Sequence, residues 1–247
     1  MVKLPRDIHE EPEPITKEEI RAFIEVSTPK RRTLYMALKD SGMRIGEALQ
    51  LKKKDIDLKT NPVTITIQAN YTKTKRGRTT HITRETRPCL QRILDRIENN
   101  DLVFGASENQ FLSVRIEENI FRRARNKLGF TERYDSNYRF KKNLHSLRAY
   151  CATQLAEIYG EEFAHGFIGH KKYLGQYIRN KNKLAEKYLR AENSLMIYQT
   201  VEVVDQSLTI EQAKKELRQE IKDEFRKDRE ELFRLLKNKN EIEELLT

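Results

Sequence analysis

Apolar and polar positions repeat at two periods along this chain, and the changes of period mark its elements. Thr16 followed by Glu19 is a reciprocal capping pattern, each side chain satisfying the other's free backbone N–H. It predicts a helix through about Glu25. A second helix is expected from about Pro29 to Lys39, broken by Ser41-Gly42. Ile45, Ala48, Leu49 and Leu51 return at helical spacing, which puts Arg44 at the start of a short helix. Val63, Ile65 and Ile67 alternate, as in a strand with one buried face. Lys75-Arg76-Gly77-Arg78 reads as a hairpin turn, and Thr79 to Thr83 as the returning strand. Further helices are predicted at about 85–98, 113–128 and 144–158.

From about Ser207 the pattern changes. Leu208, Ala213, Leu217, Ile221, Phe225, Leu232, Leu235 and Leu236 form one apolar stripe with charges on the other faces. This predicts a long C-terminal amphipathic helix that serves oligomerisation or docking. The expected fold is mainly α with a small antiparallel β-hairpin or sheet, an α+β arrangement. Residues 1–14, with three prolines, read as a flexible leader, residues 15–204 as the functional body and residues 205–247 as the amphipathic arm.

Charge adds a partner to this picture. The net charge is +10, and it is unevenly placed. Residues 205–247 hold 12 acidic and 10 basic side chains, so residues 1–204 hold 26 acidic and 38 basic, a net of +12. A body this basic suits a polyanion, either nucleic acid or an anionic membrane surface. No apolar run approaches the roughly 18 residues of a membrane span. The N-terminus lacks the hydrophobic core of a signal peptide. The expected setting is therefore cytoplasmic, beside the nucleoid, with no membrane partner. Cys89 and Cys151 make neither a disulfide framework nor a metal-ligand pair, and no metal site is expected.

The chemistry concentrates in a few side chains. His145 and Arg148 are three apart and share one helix face. Gly169-His170 follows, then Tyr173 and Tyr177; Arg44 stands far upstream. Arginine suits a phosphodiester in reaction, because its planar fork donates two parallel hydrogen bonds and keeps its charge.

In this order the residues resemble the tyrosine recombinase (phage integrase) family. SGMRIGEAL looks like that family's first arginine box, HSLR like its His-x-x-Arg box, FIGH like the start of its Leu-Gly-His box, and QYIRN like the segment around its nucleophile. The likeness covers roughly residues 15–190. Each box alone recurs by chance; four in the right order and spacing are specific.

The resemblance implies the tyrosine recombinase catalytic-domain fold. It also implies strand cleavage and rejoining through a 3′-phosphotyrosine, without ATP, cofactor or metal. Arg44 and Arg148 would clamp the phosphate, His145 assist proton transfer, and His170 bond the phosphate or leaving group. Tyr177 would attack, and a hairpin lysine, Lys73 with Lys75 as alternate, would protonate the departing 5′ oxygen. The implied partners are double-stranded DNA and further copies of the chain in a tetrameric synaptic complex.

Two departures stand out. Tyr177 lies seven residues after His170, where the family's nucleophile lies about nine after, so Tyr173 and Tyr188 stay open as rivals. The helical core-binding domain that usually precedes the catalytic domain is expected to be absent. The Lys/Glu-rich composition and the shortened spacing point to an archaeal virus or plasmid integrase. His9, His81 and His165 read as structural or surface histidines, and Glu47 as a residue that orients Arg44 or caps a neighbour. Two other functions fit the same residues: a non-catalytic DNA-binding or assembly fragment, and a type IB topoisomerase-like nicking and closing enzyme.

Overall fold

The computed structural model of the chain describes residues 13–73, 75–105, 107, 109–170, 181–198 and 219. Helix α1 (Lys17–Glu25) starts at the expected cap: Thr16 Oγ1 accepts the Glu19 N–H at 3.2 Å, and Glu19 Oε2 accepts the Thr16 N–H at 2.8 Å. Its buried face is Ile20, Phe23 and Ile24. Helix α2 (Pro29–Ser41) has proline in its first turn, where a backbone N–H would be unbonded anyway, and ends at Gly42. Gly42 has φ +59°, and a Cβ there would stand 2.5 Å from Ile168 Cγ2. The turn therefore needs glycine for its backbone angle and again for space. The short α3 (Ile45–Ala48) follows at once.

Three antiparallel strands come next, β1 (Ile56–Asp57), β2 (Val63–Ile67) and β3 (Arg78–Ile82), in the order β1-β2-β3. The register sets Ile65 opposite both Ile56 and Thr80. Val63, Ile65 and Ile67 are buried, as their alternation predicts. The expected hairpin is present, although its return strand starts at Arg78 rather than Thr79. Strand β3 is polar and at the sheet edge, yet every residue in it is buried, because α2 and α8 pack against it. Its hydroxyls find partners there: Thr80 Oγ1 donates to the Ser41 carbonyl at 2.8 Å.

Helices α4 (Arg87–Leu94), α5 (Gln110–Lys127) and α6 (Leu144–Tyr159) match three predicted segments. The first is shorter than expected, since Thr86 precedes it and its chain turns out of α-geometry after Asp95. The second starts earlier, because the Asn109 side chain accepts the Leu112 N–H at 3.1 Å and caps it. Helices α7 (Glu161–Ile168) and α8 (Lys181–Leu195) were not expected, nor was β1. Phe23 stacks on Phe121 of α5 with ring centroids 4.3 Å apart, and Phe167 on Tyr188 at 5.5 Å, so the aromatic core spans the helices.

A buried polar junction ties α2 to the rest. Asp40 Oδ2 accepts hydrogen bonds from the Thr83 N–H at 3.1 Å and the Thr83 hydroxyl at 2.8 Å, and Lys39 Nζ donates to the Leu195 carbonyl at 2.9 Å. These elements belong to one compact unit that ends at Tyr198. No helix among the described residues is long and apolar enough to cross a membrane. The amphipathic arm lies, except for Gln219, outside the described residues.

Candidate active site

Gly42 turns the chain so that Arg44 becomes the N-cap of α3. There the Arg44 N–H donates to Glu47 Oε2 at 3.0 Å, and its Nη1 donates to Oε1 at 3.1 Å. The same carboxylate takes a two-pronged contact from Arg78 on β3, Nη1 to Oε1 at 3.1 Å and Nη2 to Oε2 at 2.7 Å. Burial raises the Glu47 carboxyl's pKa, but the Arg78 hydrogen bonds and charge and the Arg44 N–H outweigh it, and the net shift is downward. Glu47 thus stays ionised and spaces two guanidiniums. The Arg44 side chain is still 35% exposed and reachable.

Helix α6 presents the next two groups. Asn143 caps it reciprocally with Ser146, its side chain accepting the His145 N–H at 2.8 Å. His145 therefore faces solvent in the first turn, and Arg148 lies one turn on. Arg148 is 2% exposed. Its Nη1 donates to the Gly42 carbonyl, while Nε and Nη2 have no partner among the described residues. Burial, then the charges of Arg44 and Arg78, pull its pKa down to about 9, so it remains a cation at neutral pH. A buried cation with two open donors is costly unless an anion meets it.

His170 follows Gly169, the left-handed cap of α7 with φ +88°. A Cβ on Gly169 would come within 2.9 Å of the Arg78 side chain, so this glycine also makes room for the Arg78–Glu47 pair. His170 Nδ1 lies 2.8 Å from His165 Nδ1, with the rings 4.7 Å apart and nearly parallel. Burial first, then Arg148, His165, Arg44 and His145, lowers the His170 pKa to about 4. The ring is neutral at pH 7, and the single proton between the two Nδ1 atoms sets its tautomer.

A cavity of about 700 Å³ joins Arg44, Lys73, His145 and Arg148, with the Arg115–Arg122–Arg125 face of α5 as its far wall. Lys73 is exposed at its rim; Lys75, with φ +54°, is not among the lining residues. Tyr173 and Tyr177 lie outside the described residues. Tyr188 is fully buried; its hydroxyl donates to the Asp40 carbonyl at 3.2 Å and its pKa is raised well above the usual phenol value by burial. No group of three or more metal-ligating side chains occurs among the described residues.

Sequence reasoning missed Arg78, whose carboxylate partner is 31 positions away, and set aside His165, which the structure pairs with His170. Only the Arg44–Glu47 spacing of three carried a signal, and the two residues are in contact.

Residues 13–179 match the model of the phage integrase family. The structure is similar to that of the XerA recombinase (23% identity, TM-score 0.52, covering 74% of this chain and 66% of that one). It is also similar to the Tn1549 transposon integrase in complex with a circular intermediate DNA (18% identity, TM-score 0.52, 75% and 68% covered). A third likeness is to the integrase of mycobacterium phage Brujita (13% identity, TM-score 0.57, 83% and 65% covered). At these identities the likeness is one of fold, and the chain spans just under two thirds of the XerA and Brujita proteins. No curated protein matches. With the family model covering most of the described unit, the chain belongs to the phage integrase family.

Proposed function

We propose that this chain is the catalytic domain of a tyrosine recombinase, cutting and rejoining duplex DNA through a 3′-phosphotyrosine. The observation that carries the reading is Arg148: a buried cation with two unpartnered donors, in one cavity with Arg44 and His145. That is a built place for a phosphodiester. Arg44 and Arg148 neutralise the non-bridging oxygens as phosphorus becomes five-coordinate. The Tyr177 oxygen attacks phosphorus, giving its proton to His145, and the phosphorus–O5′ bond breaks as Lys73 supplies a proton to the leaving oxygen. The phosphotyrosine keeps the phosphodiester's bond energy, so a 5′ hydroxyl from the partner strand reseals the DNA by the reverse steps. Strand exchange would take a tetramer on two sites; a nicking and closing enzyme would stop at one.

His165 is expected to position His170. If it donates its Nδ1–H, His170 carries its own proton on Nε2 and offers it to a phosphate oxygen. His165→Leu should then mix the tautomers and slow cleavage about 10- to 100-fold, the scale seen when the partner that orients a metal-ligating imidazole is removed. His165→Gln, whose amide still donates to Nδ1, should recover most of the rate. Imidazole nitrogen NMR reads the tautomer directly; a wild-type His170 protonated on Nδ1 would overturn the assignment. Because its folded pKa of about 4 lies below the unfolded value near 6.5, His170 contributes stability above pH 6.5 that is lost as pH falls toward 4. Cleavage should show no step from this ring between about pH 5 and 8.

The testing experiment uses nicked duplexes carrying candidate sites, run on denaturing gels. A covalent protein–DNA species supports the enzyme. Binding without any such species on any site would favour the binding-fragment reading. Affinity should fall steeply with salt, as phosphate contacts release counterions. Salt-independent binding would remove DNA as the partner of the basic body.

A further inference from the structure

The cavity contains a second buried arginine that, like Arg148, has two donors without a partner among the described residues. Arg125, in the last turn of α5, is 4% exposed, and its Nε and Nη2 have no partner among the described residues. Its Nη1 donates to the Lys142 carbonyl at 3.3 Å. Its Cζ lies 3.3 Å from the centroid of the Phe140 ring, and the Cζ of Arg133 lies 3.7 Å from the same centroid. Burial opposes its charge first, and Arg133 and Arg122 oppose it further. No described carboxylate pairs with any of these three arginines, whereas Arg31 of α2 has Glu117 of α5 at 3.1 Å.

A structural reading exists: an arginine laid on an aromatic ring gains from the ring's negative face. That contact satisfies the face of the guanidinium and leaves its Nε–Nη2 edge without acceptors among the described residues. The edge is where a phosphate binds with two parallel hydrogen bonds. Arg125 lines the same cavity as Arg148.

We propose that Arg125, held on Phe140 and flanked by Arg122, is a second phosphate clamp that takes a backbone phosphate of the bound duplex away from the reacting one. The inference rests on the reading of this cavity as the seat of DNA. Two buried arginines in one cavity would fix two points along a strand and so set its direction, which one clamp cannot do.

The test is an NMR titration of the full chain with arginine side-chain nitrogens labelled. The Arg125 Nε–H signal is assigned by its loss in Arg125→Lys, or by its displacement in Phe140→Leu if the first variant does not fold. A short duplex should shift the Arg125 and Arg148 signals together. A shift of Arg148 alone would overturn the second clamp and leave the proposed function standing. No shift of either would overturn both. A shift with inorganic phosphate but none with duplex at equal phosphate concentration would make this a free-anion site and overturn the DNA assignment. In parallel, Arg125→Lys should weaken duplex binding more than Arg123→Lys, an exposed neighbour outside the cavity. Equal effects would reduce the contribution to general charge and overturn it.

Discussion

Tyr177→Phe is expected to abolish the covalent protein–DNA species on a nicked duplex while leaving duplex affinity within about twofold. The substitution removes one oxygen and keeps the ring, so any packing the ring makes survives and only nucleophilic attack is lost. Three tyrosines competed for this role on sequence grounds. Tyr188 can be set apart by chemistry: it is wholly buried, its hydroxyl is engaged with the Asp40 carbonyl, and its proton is held more tightly than in water. A nucleophile needs the opposite, an accessible oxygen whose proton leaves easily. Tyr188→Phe should therefore keep the adduct and lose about 1 kcal/mol of stability with its buried hydrogen bond. An adduct persisting in Tyr177→Phe but lost in Tyr173→Phe would move the nucleophile to Tyr173. Gel analysis of the three variants side by side decides the matter.

The second large effect is at Arg148. Arg148→Lys should slow single-turnover cleavage by about 100- to 1000-fold with little change in duplex affinity. Lysine keeps a charge but offers a point donor in place of a fork. In a buried position flanked by Arg44 and Arg78 it would also tend to lose its proton. Arg148→Met separates catalysis from structure. It deletes a buried cation that makes no direct ion pair among the described residues, so urea unfolding should show stability kept or raised even though cleavage is lost. A cleavage rate within about threefold of wild type for the lysine variant would return Arg148 to a structural role. So would a collapse of stability in the methionine variant.

Much of the fold was readable because its signals are local. The Thr16–Glu19 cap, the Ser41-Gly42 break, the β2 alternation and the helix beginning at Leu144 each depend on residues within one or two turns of chain. What escaped depends on distant partners. Strand β1 is two residues long and exists because β2 lies beside it. Helix α7 is eight residues, bounded by Gly160 and Gly169, too short for a period to show. Helix α8 does carry a period, since Leu184, Tyr188, Ala191 and Leu195 are all buried, but it follows a stretch whose interest was chemical. Arg44, His145 and Arg148 were legible as boxes in order, and the structure brings them to one cavity. The Glu47–Arg78 fork and the His165–His170 pair were not, because they join residues that only the folded chain brings together.

Gly42 carries a consequence for how this protein tolerates change. One residue ends α2, faces Ile168 with no space for a methyl group, and lends its carbonyl to Arg148 two residues before Arg44 begins. The support of Arg148 is thus also part of the interior packing. A small repacking around Ile168 would be felt at both guanidiniums before it was felt in the melting temperature. In a population of variants, substitutions in this corner of the core should separate the two properties: folded protein in normal amounts, and catalytic output already gone.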